Sequence, residues 1–160
     1  MFYNAYILPL FDFGCITWQH AAKSSLKRLT RIQNRAARII LQKSRKDNSA
    51  ELIQNLNWLS ISSRFDYFTG LMVYKSLNNF TPMYISHNFT IANNNRYRLR
   101  SEANKYITYN PYKHRTQYFQ QTFKYTGTKI WNAIPLFIKN ATNLKTFKYQ
   151  YKSFLYSNQF

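Results

Sequence analysis

The chain has 160 residues, of which 45% are hydrophobic and 19% aromatic, a composition that suits a packed core and excludes a disordered chain. It contains only three glycines, too few for an all-β protein built from many tight turns. Lysine and arginine together number 23 against five acids, which gives a formal charge of +18. We therefore expect a polyanionic partner, and we favour nucleic acid over an anionic membrane surface.

The first predicted element is a buried, aromatic-rich helix over residues 2 to 18 that Pro9 kinks or splits. Because Asn4, Pro9 and Asp12 interrupt this segment, it is not predicted to span a membrane, and it lacks the basic leader of a signal peptide. The single cysteine, Cys15, excludes an internal disulfide and a Cys-based zinc cluster. The expected location is intracellular, in the nucleus or the cytoplasm, without stable membrane insertion.

The second predicted element is a helix over residues 25 to 43, SLKRLTRIQNRAARIILQK, in which no acid occurs. Ser24 or Ser25 is its expected N-cap. At about 100° per residue its apolar side chains share one face, expected to pack against residues 2 to 18. That face consists of Leu29, Ile32, Ala36, Ile39 and Ile40, with Leu26 and Gln33 at its edge. The cations occupy a different arc, the arginine stripe, made of Arg28, Arg31, Arg35 and Arg38 with Lys27 beside them.

Three interpretations of the arginine stripe compete: a solvated face, a membrane-surface helix and a nucleic-acid-binding helix. The solvated interpretation is weakened because no acid alternates with the arginines. Membrane-surface helices usually carry Trp or Phe on the apolar face, whereas this helix carries Ile, Leu and Ala. Guanidinium groups bond two phosphate oxygens at once, and the stripe therefore favours phosphate contacts.

The middle of the chain predicts two further helices and a loop. Asn48 or Ser49 can cap a short helix, and a longer helix follows at about 61 to 79, although Gly70 weakens the expectation of an unbroken rod. Residues 90 to 106 lose helical periodicity and are predicted to form an exposed loop. This loop carries RYRLR, a second candidate nucleic-acid surface. A flexible loop tip is an equally good interpretation of the same residues. Its cations are Arg96, Arg98 and Arg100, with Tyr97 available for base stacking.

The C-terminal part begins with weak alternation at 105 to 112, which favours a short strand or hairpin. Helical spacing then resumes, with Phe119, Phe123, Ile130 and Trp131 as core, and Pro135 ends or restarts that helix. A closing amphipathic helix has a buried stripe of Leu144, Phe147, Tyr151, Phe154 and Leu155, and a separate row of Lys145, Lys148 and Lys152. The predicted organisation is a helical region at 1–90, a linker at 91–112 and a basic helical region at 113–160.

No self-contained active site is predicted. Two-metal phosphoryl transfer needs converging carboxylates, and the five acids stand apart from one another along the sequence. The three histidines are scattered, and neither a nucleophile elbow nor a glycine-rich phosphate loop occurs. We therefore predict no catalytic residue, no metal ligand and no cofactor in this chain. The acids are Asp12, Asp47, Glu51, Asp66 and Glu102.

The order of segments resembles the region after the polymerase palm in non-LTR (LINE-type) retrotransposon reverse transcriptases, which are RNA-directed DNA polymerases. The resemblance is carried by YNAYILPLFDFGCITW, LKRLTRIQNRAARII, LNWLSISSRFDYFTGLMVYKSLNN with FTPMYI, YRLR, YNPYKHRTQYFQQTFKYTGTKIWNAIP and LKTFKYQYKSFL. Each piece is weak alone, whereas the ordered set is specific and covers nearly the whole chain.

The resemblance implies a mostly α-helical, thumb-like bundle followed by a basic C-terminal tail, in which Arg28, Arg31, Arg35 and Arg38 grip template and primer. The family's catalytic aspartates, palm, fingers, endonuclease domain and zinc knuckle have no match here, so a divalent metal would belong to the absent palm. Met1 is then expected to be an arbitrary start in a truncated transposable-element copy. The leading hypothesis is an inactive nucleic-acid-binding fragment of a reverse transcriptase; the alternatives are a free-standing basic RNA- or DNA-binding protein and, third, an anionic-membrane-surface binder.

Overall fold

A computed structural model describes residues 2–91, 105–107 and 116–159. Within these ranges the chain is mostly helical, which confirms the predicted fold class. They contain no β-strand, and their extended pairing is an isolated antiparallel bridge between Ile91 and Ile107. The rest of the predicted strand or hairpin, residues 108–112, lies outside the described residues.

The helices follow one another in short steps. The first half of the chain contains a π-helical segment Tyr3–Ile7, then α1 (Leu8–Asp12), α2 (Cys15–Trp18), α3 (Lys23–Leu41), α4 (Ser49–Asn55), α5 (Ile61–Leu77) and α6 (Met83–Ser86). The second half contains α7 (Gln117–Gln120), α8 (Phe123–Ala133), α9 (Leu136–Lys139) and α10 (Leu144–Asn158).

Packing divides the chain into two compact units. The first unit comprises Met1–Phe68 with Lys152–Phe160, and the second comprises Thr69–Tyr151. The predicted boundaries at 90 and 112 stay a prediction, because most of the residues between them lie outside the described ranges.

In the first unit, the helix predicted over residues 2 to 18 is split as expected, although not at Pro9. Pro9 lies in the first turn of α1, where its missing N–H is tolerated, directly after the change from π- to α-helix. The chain breaks further on, at Gly14, whose φ of 60° places it in the left-handed region that glycine adopts without strain. The break was therefore predicted five residues too early.

The same segment is only half-buried, which corrects the prediction of a buried helix. Its inner side chains are Tyr3, Phe11 and Cys15, whereas a row on its outer side is exposed to solvent. Burial raises the pKa of the Cys15 thiol above its ordinary value, so this thiol is a poor nucleophile. The exposed row consists of Phe2, Tyr6, Leu10 and Phe13.

Polar contacts and aromatic stacking hold the N-terminal segment to the rest of the first unit. The carboxylate of Asp12 accepts two hydrogen bonds from the guanidinium of Arg64 in α5. The ring of Tyr3 stacks on Trp58 with centroids 4.1 Å apart, and burial raises the pKa of Tyr3 to about 12. The short helix α4 begins as predicted, because Asn48 Oδ1 accepts a hydrogen bond from the Ala50 amide at 3.1 Å.

The second unit packs around aromatic side chains that the sequence identified. Trp131, Phe147 and Tyr151 are buried, and the ring of Phe147 stacks on Tyr74 with centroids 4.1 Å apart. The helix α5 continues unbroken through Gly70, where an added Cβ would lie 2.6 Å from Cε1 of Tyr151. Gly70 therefore permits the close approach of a ring and does not mark a break in the helix.

A buried lysine lies beside this core. Lys139, at the end of α9, is only 4% exposed, and its Nζ lies 4.7 Å from the ring centroid of Tyr106 and 5.8 Å from that of Trp131. Burial lowers the pKa of Lys139 to about 8. The side-chain amide of Asn132 fixes the neighbouring segment, because it accepts a hydrogen bond from the Ile107 N–H and donates one to the Ile107 carbonyl.

Candidate nucleic-acid interface

The helix α3 carries the predicted arginine stripe, and it begins earlier than predicted. It starts at Lys23 after Ala22, and no side chain caps its first amides, so the expected caps at Ser24 or Ser25 are wrong. It ends at Leu41; the next residue, Gln42, adopts a left-handed conformation, and the Lys43 N–H donates a hydrogen bond to the Arg38 carbonyl at 2.9 Å. The helix is thus anchored at its C-terminal end by backbone hydrogen bonds.

Two residues in the second half of α3 define its buried side. Gln33 is 1% exposed and Ala37 is fully buried. The Gln33 side chain donates a hydrogen bond to the Leu59 carbonyl at 2.8 Å, and the small Ala37 side chain lets the helix approach the core closely. This contact fixes how α3 is rotated in the first unit.

The rotation corrects part of the predicted apolar face: Leu29 and Ala36 pack against the core as predicted, whereas the isoleucines do not become buried. Ile32, Ile39 and Ile40 were expected in the core, yet they are exposed by 46%, 68% and 39%. Relative to the prediction, the buried face has turned by roughly a quarter of a circle at 100° per residue. Ile32 and Ile39 therefore lie on the outer surface of α3 next to the arginines, and Ile40 lies nearer to the buried side.

The rotation leaves most of the arginine stripe on the outside. Arg28 lies nine residues before Ala37, which places it about 180° from the buried side. Arg28, Arg31 and Arg35 are exposed, as is Lys27, and none of them makes a hydrogen bond or ion pair with another described residue. Four neighbouring cations of α3 are thus free to contact a ligand.

Arg38 differs from the other members of the stripe. It is half-buried, and one terminal nitrogen donates a hydrogen bond to the Asp47 carbonyl at 3.5 Å. Its Nε is buried without a hydrogen-bond partner among the described residues. Arg38 therefore serves the junction after α3, and the accessible stripe consists of Lys27, Arg28, Arg31 and Arg35.

Several acids near α3 are used inside the protein. Asp12 pairs with Arg64, Asp47 accepts a hydrogen bond from the Ser44 amide at 2.6 Å, and Glu51 accepts one from Asn48. None of these three carboxylates neutralises the accessible stripe. The positive potential along the outer side of α3 is therefore available to an anion.

The second predicted surface was not placed by the structure. Arg96, Arg98 and Arg100 lie outside the described residues, and so does Tyr97. Their proposed part in binding stays a prediction.

The described ranges also contain no group of three or more His, Cys, Asp or Glu side chains that could hold a metal ion. Among the same residues, no helix is both long and apolar enough to cross a membrane. Comparison of the chain with protein-family models, with curated proteins and with solved structures finds no match. The geometry of α3 is therefore the main guide to function.

Proposed function

We propose that this protein binds RNA or DNA through the outer face of α3. The observation that carries the proposal is the row of exposed cations at Lys27, Arg28, Arg31 and Arg35, none of which is paired with another residue that the structure describes. From Arg28 to Arg35 the row extends about 10 Å along the helix at about 1.5 Å per residue, long enough to contact several phosphates. Such contacts give affinity without sequence information.

We further propose that this binding role derives from a reverse-transcriptase ancestor. The resemblance to the region after the palm of non-LTR retrotransposon polymerases supports a thumb-like role in which α3 lies along a template–primer duplex. Polymerisation would then need the aspartates and the divalent metal of a palm, together with fingers, supplied by the parent enzyme. The protein alone binds nucleic acid and does not extend a primer.

Binding is tested by fluorescence anisotropy with labelled duplex DNA, RNA–DNA hybrid and single-stranded RNA over a range of salt concentrations. We expect affinity to fall steeply with salt, because bound cations displace counterions from the phosphates. Vesicles of phosphatidylcholine and phosphatidylserine form the competing arm. Stronger binding to the vesicles, or affinity for nucleic acid that does not depend on salt, would refute the proposal.

The stripe itself is tested by two triple variants with the same loss of charge. In the first, Arg28, Arg31 and Arg35 become Gln; in the second, the exposed Lys145, Lys148 and Lys152 of α10 become Gln. The first variant should lower the slope of log affinity against log salt on duplex DNA by up to about three, since each lost phosphate contact removes about 0.9. The second should change it much less. Equal changes would show that net charge, and not the stripe, determines binding.

Arg38 provides a control within α3. Because its guanidinium is directed to the Asp47 carbonyl, the single variant Arg38→Gln should leave the salt slope nearly unchanged, whereas Arg31→Gln should lower it by about one. Circular dichroism checks that each variant keeps its helices.

The ancestry has its own test. A reading frame upstream of Met1 in the genomic DNA that encodes a paired-aspartate palm motif would support a reverse-transcriptase origin. An ordinary promoter and intron structure there would instead favour a free-standing basic RNA- or DNA-binding protein.

A further inference from the structure

An apolar groove lies in the first unit, between the N-terminal segment and α3. Its volume is about 390 Å³. Among the described residues no charged side chain lines it, and it is open to solvent, since Phe2 on one side and Ile39 on the other are 71% and 68% exposed. The lining residues are Phe2, Tyr3, Ile7, Ala36, Ile39 and Ile40.

The groove continues into an apolar surface on the N-terminal segment. The ring of Tyr6 packs against that of Phe2 with centroids 4.6 Å apart. Leu10 and Phe13 follow four and three residues further along the segment, each about one helical turn on. These three residues are exposed by 65%, 72% and 85%. Single exposed apolar residues are normal on proteins, whereas a contiguous patch around a groove is typical of a binding site.

The charges beside the groove restrict its occupant. Arg35 precedes Ile39 by one helical turn, so a cation lies directly next to the apolar lining. A second copy of this chain would bring the same formal charge of +18, and the two copies would repel each other. The complementary occupant carries apolar side chains flanked by acids.

The shape of the groove favours a protein helix over a membrane. A bilayer is flat at this scale and does not fill a concave groove between two helical segments, whereas side chains of a docked helix do. Ala36 and Ile40 are one turn apart on α3, a spacing that matches apolar side chains at i and i+4 of a partner helix. We propose that this groove binds an amphipathic helix of another protein, with large apolar side chains in the groove and acidic side chains next to Arg35.

The proposal is tested with the whole chain and a fluorescein-labelled synthetic peptide. The peptide is a helix about 16 residues long with leucines at i, i+4 spacing on one face and glutamates on both flanks. A second peptide has the same glutamates and alanines in place of the leucines. We expect the leucine peptide to bind at least about tenfold more tightly, because burial of each leucine adds to affinity.

Matched variants locate the binding to the groove. Ile39→Ser removes a lining side chain and should weaken binding of the leucine peptide about tenfold. Ile32→Ser removes an exposed isoleucine of the same helix that does not line the groove, and should leave binding unchanged. Phe2→Ser tests the opposite wall and should weaken binding as Ile39→Ser does.

Three results would overturn the proposal. The first is equal affinity for the leucine and alanine peptides, since attraction between opposite charges would then explain all binding. The second is an equal effect of Ile39→Ser and Ile32→Ser. The third is binding to phosphatidylserine vesicles that depends on Ile39 while the leucine peptide does not bind, because a membrane would then be the occupant. Nucleic-acid affinity should not change in Ile39→Ser, which keeps this test separate from that of the arginine stripe.

Discussion

Lys139 should make the stability of this protein rise with pH in the mildly alkaline range. Burial lowers its pKa from 10.5 to about 8, so between these two values the unfolded chain holds a proton that the folded chain has released. The unfolded state therefore binds more protons, and the free energy of unfolding increases as pH rises through that window. Below pH 8 the folded state holds Lys139 as a buried ammonium group.

The magnitude follows from the two pKa values. A shift of one pKa unit corresponds to about 1.4 kcal/mol, so Lys139 lowers stability at pH 7 by about 3 kcal/mol relative to an unshifted lysine. About 2 kcal/mol of this should be recovered between pH 7 and pH 9.5. Tyr3 acts in the opposite direction, because its pKa is raised to about 12 and its contribution to stability is lost as pH rises above 10. The measurement is therefore best kept below pH 10.

The assay is urea unfolding followed by circular dichroism at intervals between pH 7 and pH 9.5, for the wild-type chain and for Lys139→Met. Methionine keeps much of the length and the apolar stem of lysine without its charge. The variant should be more stable at pH 7, and its advantage should shrink as pH rises. Lys145→Met, at an exposed position, is the matched control and should follow the wild-type pH profile. If Lys139→Met and the wild type differ by the same amount at every pH, the lysine is not desolvated in the way described.

Two further predictions concern packing and pairing. Gly70→Ala should destabilise the second unit by about 1–3 kcal/mol in urea unfolding, despite the higher helix propensity of alanine, because the new Cβ would meet the Tyr151 ring at 2.6 Å; a stabilised variant would contradict this close approach. Asp12→Asn should lower the free energy of unfolding by about 1–2 kcal/mol; this figure is reduced for solvent screening, because both partners are about a fifth exposed. The double variant Asp12→Asn with Arg64→Met should recover part of that loss, because it leaves no partly buried guanidinium without its carboxylate. A double variant no better than Asp12→Asn would count against the pair.

Local rules predicted those elements whose limits are set by local chemistry. The Asn48 cap, the restart at Pro135 and the buried stripe through Phe147 and Tyr151 all follow from side chains within a few residues of the structure they form. The unbroken course of α5 could not be predicted from nearby residues, because the glycine at position 70 makes room for the ring of Tyr151, a residue far away in sequence. From the sequence alone, a glycine within a helix predicts a weak point of that helix; the ring that packs against it becomes known only from the structure.

The candidate nucleic-acid interface on α3 also depends on a contact between residues that are far apart in sequence. The arginines of α3 were found from spacing alone, since four cations recur along one side of a helix without an acid. The direction in which the arginine side faces was not predicted correctly, because hydrophobicity assigns Ile32, Ile39 and Ile40 to the core and treats Gln33 as an edge residue. The Leu59 carbonyl decides otherwise: a buried backbone acceptor gains a donor from Gln33, and a loss of that hydrogen bond on burial would cost about 1–3 kcal/mol. With Gln33 and Ala37 inward, Ile32 and Ile39 lie outward, and the exposed apolar groove beside the arginine stripe follows from that orientation of α3.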